Sequence, residues 1–144
     1  MSAGIEETDE QLRDLLGAAK TIAVVGAKDE PAEDAYRIPV YMQEAGYRIV
    51  PVNPKLEATL GEPCHADLRT VEGAVDIVNL FRASEHVPGH VDEILALDPR
   101  PRAVWMQLGI HNGEAAQRLR EAGIGVIQDR CIMVDHRRLL GPST

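Results

Sequence analysis

At 144 residues the chain is long enough to bury a substantial core by itself, and its balance of 44% hydrophobic and 26% charged residues is that of a globular domain. A formal charge of −8 argues against a nucleic-acid partner, and one Phe, one Trp and three Tyr leave no aromatic platform for stacking bases. No apolar run approaches the roughly 20 residues of a membrane span, and the start Met1 to Glu7 lacks a secretory pattern, so a cytoplasmic location without a membrane partner is expected.

Residues 8 to 20 read as an amphipathic helix, with Thr8 and Gln11 as a capping box and Leu12, Leu15, Leu16 and Ala19 on one face. Thr21 to Val25 is a buried strand that ends abruptly at Gly26, where glycine allows a turn and a close approach to the backbone. After the loop Ala27 to Asp34, Asp34 is placed as the cap of a second helix, Ala35 to Ala45, that stops at Gly46. Pro39 is tolerable there near the first turn.

Tyr47 to Val52 is a second strand, with Pro51 awkward in a sheet interior, and Asn53-Pro54-Lys55 is the turn that ends it. Residues 56–74 read as irregular, with one short helical turn near Leu68. A third strand spans Val75 to Phe81, a third helix Ser84 to Leu97, and a fourth strand Ala103 to Leu108 closes on Gly109. Asn112 caps a helix from Gly113 to Ala122, Gly125 to Gln128 is a fifth strand, and Cys131 to Leu140 leads into a tail.

Strands alternating with helices predict one domain over 1–144, with 1–8 and 141–144 as tails. The fold class is α/β: a doubly wound, mainly parallel five-stranded sheet with helices on both faces. Ligands of such sheets sit outside the carboxyl ends of the strands, where the strand order reverses. Those ends carry Gly26 to Asp29, Asn53 to Lys55, Phe81 to Ser84, Gln107 to Ile110 and Asp129 to Cys131. A strand, a glycine turn and a helix N-terminus together favour a nucleotide phosphate.

The ordered set Val25-Gly26-Ala27, Gly46 to Pro54, Val75 to Val78, Phe81-Arg82, Val104 to Ile110 and Asp129-Arg130-Cys131 resembles the small stand-alone coenzyme A-binding domain proteins of bacteria. These in turn resemble the N-terminal domain of the succinyl-CoA synthetase α subunit. The resemblance implies a Rossmann-like fold that binds coenzyme A (CoA) or an acyl-CoA as a non-catalytic module. It implies that Gly26 and Ala27 lie against the CoA phosphates, and that Asn53-Pro54 forms the turn after the second strand, with Lys55 near a phosphate. It also implies that Phe81-Arg82 and the segment Gln107, Leu108, Gly109 and Ile110 flank adenine and pantetheine. Where members commonly carry a serine and, later in the same loop, an arginine, this chain has Lys28 and Glu33. Its loop 28–34 sets four carboxylates against one cation, a balance that repels a pyrophosphate locally. Lys28 and Arg37 are the replacement donors.

Other readings stay open. Gly26 suits a tight turn with no ligand, and Lys55 a solvated surface. Arg82 and Arg130 each suit a phosphate contact or an ion pair. Cys131, five residues before His136, is either an inert buried thiol or the nucleophile of a cysteine-dependent acyl or thiol transfer with His136 as base. A regulatory module sensing NAD(P) or a nucleotide is a further alternative. Against it, the second and third glycines of a dinucleotide turn are missing, and no acidic residue ends the second strand. His86 and His90 have metal-ligand spacing, but Pro88 and Gly89 lie between them, and Cys64-His65 has no partner spacing. The run Asp135 to Arg138 reads as a solvated helix face, and the acidic residues Glu6 to Glu10 as support for the first helix's N-terminus.

Overall fold

A computed structural model describes residues 8–141; Glu6, Glu7 and nearly all of both expected tails lie outside the described residues. In chain order the elements are α1 (Asp9–Ala18), β1 (Thr21–Val25), α2 (Asp34–Glu44), β2 (Arg48–Val52), β3 (Ala58–Thr59), β4 (Glu62–Pro63) and β5 (Ile77–Leu80). There follow α3 (Pro88–Leu95), β6 (Ala103–Met106), α4 (Gly113–Glu121), β7 (Gly125–Ile127) and α5 (Ile132–Leu140). The main sheet has the order β2-β1-β5-β6-β7, and every pair in it is parallel.

Alternation along the strands assigns the two faces. Ile22, Val24, Ile77, Trp105 and Ile127 point to one side, where α1, α2 and α5 bury Leu12, Leu15, Leu16, Ile38, Met42 and Ile132. Ala23, Val25, Val78, Leu80, Val104 and Val126 point to the other, under Val91 and Ile94 of α3 and Ala115, Ala116 and Leu119 of α4. This is the doubly wound α/β architecture that the alternating pattern predicts. Burying each large apolar side chain contributes about 1.5–3 kcal/mol, so the two clusters together hold the layers.

Chain order reverses between β1 and β5, which places the topological switch point at the carboxyl ends of these two strands. Pro51 is accommodated because β2 is an edge strand: its carbonyl accepts from the His65 N–H on the open side, so the missing donor falls outside the ladder. At the opposite end of the sheet, Asp76 Oδ2 accepts from the backbone N–H groups of Lys20 (2.8 Å) and Thr21 (3.0 Å), tying the starts of β1 and β5 together.

Several local expectations need correction. Asp34 is the first residue of α2 rather than its cap; Glu33 holds the cap position, and the Asp34 carboxylate is taken by Arg37 at 2.7 Å. Pro39 lies in the second turn, just past the first. The Ala35 carbonyl that its missing N–H leaves free accepts instead from the Lys28 N–H at 3.3 Å. Residues 56–74 include the hairpin β3–β4, whose turn residues Leu60 and Gly61 both have positive φ. Leucine is a poor sequence signal for such a turn, and the conformation is held by Gln43 Nε2 donating to the Leu60 carbonyl at 2.8 Å.

The stretch after Cys131 is a full helix, α5, packed on the sheet. The run Asp135 to Arg138 is not a solvated face: Asp135 and His136 are buried while Arg137 and Arg138 are exposed. Asp135 keeps its charge inside through Arg130, at 2.7 and 2.8 Å, and Arg138, at 2.9 Å. Burial alone would raise its pKa, but the two guanidinium groups outweigh that and hold the carboxyl below its ordinary range.

Candidate functional site

The carboxyl ends of β1, β5 and β6 open onto a cleft of about 650 Å³, closed on its far sides by the N-terminal turns of α2 and α5. Gly26, at the end of β1, has φ +88°; a Cβ there would lie 2.7 Å from the Phe81 carbonyl oxygen. The glycine is therefore demanded by the turn and by the closeness of two backbones. Its N–H donates to the Val52 carbonyl at 2.9 Å, and the Lys28 N–H is held by Ala35. Of the N–H groups of Gly26, Ala27 and Lys28, only that of Ala27 has no acceptor among the described residues.

The predicted site residues divide. Lys28, Arg37, Phe81, Arg82, Gln107 and Ile110 line the cleft. Gly26 and Pro54 line a neighbouring pocket of about 120 Å³, and Arg82 borders both spaces. Ala27 is fully buried and lines neither space. Asn53, Lys55 and Gly109 line neither space. Asn53 is committed to the loops: Nδ2 donates to the Ala27 carbonyl at 2.8 Å, and Oδ1 accepts from the Lys55 N–H at 2.8 Å. Gly109 likewise gives its N–H to Asp129 Oδ1 at 2.6 Å.

Residues absent from the predicted binding set complete the wall. Asp34 and Ala35 open α2, and Cys131, Met133 and Val134 open α5; Leu108, part of the expected segment after β6, also lines the cleft. Leu108 and Val134 are 68% and 50% exposed, two of the three most exposed large apolar residues among those described, and both border this cleft. Reading α5 as a tail hid its contribution. The signal was present in the apolar pair Ile132-Met133 followed by His136, a helical spacing that faces the sheet.

Charge at the cleft differs from the count over the loop. Lys28, Arg37 and Arg82 face it against only Glu33 and Asp34. Asp29 is turned into a hydrogen bond from Thr59 Oγ1 at 3.2 Å, and Glu30 does not line the cleft. Arg37 is partly engaged by Asp34, whereas Arg82 and Lys28 have no side-chain partner among the described residues. The Asp34 and Ala35 N–H groups of α2, and those of Met133 and Val134 of α5, have no acceptors among the described residues, so two helix N-termini face one space. The cleft thus offers donors for an anion and, through Ile38, Ile110, Met133 and Val134, an apolar wall for an uncharged chain.

Arg130 is engaged within the protein. Its guanidinium grips Asp135, and its carbonyl accepts from Trp105 Nε1 at 2.8 Å, fixing the turn between β7 and α5. Cys131 and His136 are not brought together as nucleophile and base. The His136 Nδ1 is 2.8 Å from the Tyr41 hydroxyl, its ring meets those of Tyr41 and Tyr47 edge-on, and it does not line the cleft. Burial lowers its pKa. His90 is 3.2 Å from Glu93, His65 Nδ1 is 3.0 Å from Thr70 Oγ1, and among the described residues no group of three or more His, Cys, Asp or Glu could hold a metal ion.

Comparison with known proteins gives consistent matches. The profile of a family described as a CoA binding domain matches residues 20–137. The uncharacterized protein YneT of Bacillus subtilis (strain 168) is 42% identical over 126 residues, covering 88% of this chain and 92% of its own. A solved protein from Thermus thermophilus is 44% identical and superposes with a TM-score of 0.88 over 92% of this chain and 99% of its own. A dinucleotide-forming acetyl-coenzyme A synthetase of Ca. Korarchaeum cryptofilum shares the fold at 23% identity and a TM-score of 0.63, over 79% of this chain and 27% of its own. The chain belongs to the CoA-binding domain family.

Proposed function

From that membership we propose that this protein is a single-domain, cytosolic module that binds CoA or an acyl-CoA in the cleft at the strand ends and catalyses no reaction of its own. The observation that carries the proposal is the convergence, in one cleft at the switch point, of two helix N-termini, three cationic side chains and an apolar wall. CoA needs those features together. Its phosphates suit the helix N-termini with Lys28, Arg37 and Arg82, and its uncharged pantetheine arm suits Ile110, Met133 and Val134. Gly26 and Asn53 then shape the turns that bring these groups together, and Pro54 borders the adjoining pocket.

The separation of Cys131 from His136 favours binding over acyl transfer, because a nucleophile needs its base within hydrogen-bond reach. The test is thermal unfolding of the protein with CoA, acetyl-CoA, NAD, NADP, ATP and ADP. A ligand at about 100 times its dissociation constant stabilises by roughly 2.7 kcal/mol, which for a chain of this length raises Tm by about 5–10 °C. The expected result is a rise with CoA and acetyl-CoA that ATP and NAD do not reproduce. A rise with NAD or NADP alone would replace this reading with a nucleotide sensor, and no rise with any ligand would remove it.

A further inference from the structure

Cys131 lines the cleft at the N-cap of α5 and is half-buried, with its sulfur in the reduced state. A thiol in a wall is by itself unremarkable, but the side chain next to it points to a ligand. Gln107 is only 5% exposed and lines the same cleft. Its Oε1 accepts from Asn79 Nδ2 at 3.3 Å and from the Ile132 N–H at 3.2 Å, two donors that fix which way the amide lies. Nε2 is left with two donor hydrogens and no partner among the described residues. No described side-chain polar atom is both buried and unpaired, so Nε2 reaches the cleft surface. Such a donor suits an amide or thioester carbonyl. Because Gln107 binds the N–H of the residue after Cys131, donor and thiol occupy the same stretch of wall.

We propose that Cys131 is a thiol–disulfide exchange site for CoA, so that the protein carries CoA either reversibly bound or covalently tethered. This rests on the CoA-binding reading and deepens it. The co-reactant is CoA disulfide. The Cys131 thiol loses its proton to solvent and the thiolate attacks one sulfur of the disulfide. A bond forms between Cys131 Sγ and that sulfur, the original S–S bond breaks, and the second CoA leaves as a thiolate that takes up a proton. Cys131 is oxidised and the departing CoA is reduced, so no other oxidant enters. A free thiol in excess reverses the step.

Cys64 supplies the internal control. It lies outside the cleft, and burial together with the nearby Asp29 charge pushes its pKa up, which disfavours the reactive thiolate. The experiment is intact-mass spectrometry of the reduced protein incubated with CoA disulfide near neutral pH, with glutathione disulfide in parallel. One CoA adduct is expected, removed by dithiothreitol, absent from Cys131→Ser and retained in Cys64→Ser. It should form about ten times faster than the glutathione adduct, because binding raises the local concentration of the disulfide. An adduct that survives Cys131→Ser, or equal rates with the two disulfides, would overturn the proposal. Thermal unfolding of the reduced wild-type protein with reduced CoA separates the two readings. A rise in Tm without any adduct removes the tether alone; no rise removes CoA binding and the tether with it.

Discussion

The two ends of the central sheet solve opposite problems. At the amino ends of the strands, backbone and side chain satisfy one another: Asp76 takes the N–H groups of Lys20 and Thr21, its own N–H donates to Thr21, and its carbonyl accepts from Arg102. At the carboxyl ends the turns are equally well tied, through Gly26 to Val52, Asn53 to Ala27 and Gly109 to Asp129, yet Arg82, Lys28 and two helix N-termini are left facing a cleft. The difference shows that an open end is not a loose end. Its backbone is fixed by internal hydrogen bonds, and the donors left without partners are on the side chains and helix ends mounted on it.

The hardest test of that separation is Gly26→Ala. A Cβ 2.7 Å from the Phe81 carbonyl oxygen cannot be relieved by a flexible side chain, and φ +88° is itself strained for alanine. The expected loss is about 3 kcal/mol of stability, read as a fall in the urea midpoint. A stable Gly26→Ala protein that fails only to bind CoA would show the glycine to be a ligand contact and break the comparison. Asp76→Ala should follow, at about 2 kcal/mol, since it strands two backbone donors at the closed end. CoA affinity of the folded Asp76→Ala protein should be unchanged; a tenfold weakening would mean that the two ends are coupled.

Arg82→Ala should do the reverse. Arg82 is exposed and has no partner among the described residues, so its loss should leave the unfolding midpoint within about 0.5 kcal/mol. CoA affinity should drop by about tenfold, the scale of one hydrogen bond to a charged group, in a calorimetric titration. An unchanged dissociation constant would move the phosphates away from the switch point. Glu33→Arg is the gentler counterpart. Glu33 borders the cleft, so reversing its charge should tighten CoA by about threefold at low salt and by less at high salt. No tightening at low salt would place the anion away from the start of α2.

How much of this was legible in the sequence follows from which signals are local. The five main strands, the Thr8 and Asn112 caps and the glycine turn are written in runs of β-branched residues and capping side chains, and the structure has all of them. Six of the twelve predicted site residues line the cleft; Lys28, Phe81, Arg82, Gln107 and Ile110 are strand-end positions that follow from the alternation of strands and helices, and Arg37 is a cation of the following helix. The rest depended on pairing across the chain. Asn53 is spent on Ala27, 26 residues away, and Gly109 on Asp129, 20 residues away. The acidic loop looked hostile to an anion because a sequence counts charges without their directions. In space only two of its four carboxylates face the cleft.

The smallest expected effect concerns the joint between the two helices that frame the open end. Tyr41 of α2 and His136 of α5 meet at 2.8 Å, with Tyr47 edge-on to the same imidazole and the Arg137 guanidinium over the Tyr41 ring. Burial lowers the His136 pKa, so the folded protein favours the neutral ring. In the unfolded chain the ring takes up its proton near pH 6.5. Below that pH the unfolded state binds more protons than the folded one, and stability must fall until the lowered folded pKa is passed. Asp135, the adjacent charged group, acts in a different window: its carboxyl is held below 3.8, so its contribution is lost only in stronger acid. Melting between pH 7.5 and 5 should therefore show a small decline that His136→Asn flattens, with the acid limb below about pH 4 unchanged. A slope equal in the two proteins would mean that the α2–α5 joint is insensitive to this proton. If CoA affinity weakened over the same pH range in wild type but not in His136→Asn, the joint would prove to position the cleft's helix ends as well as to support them.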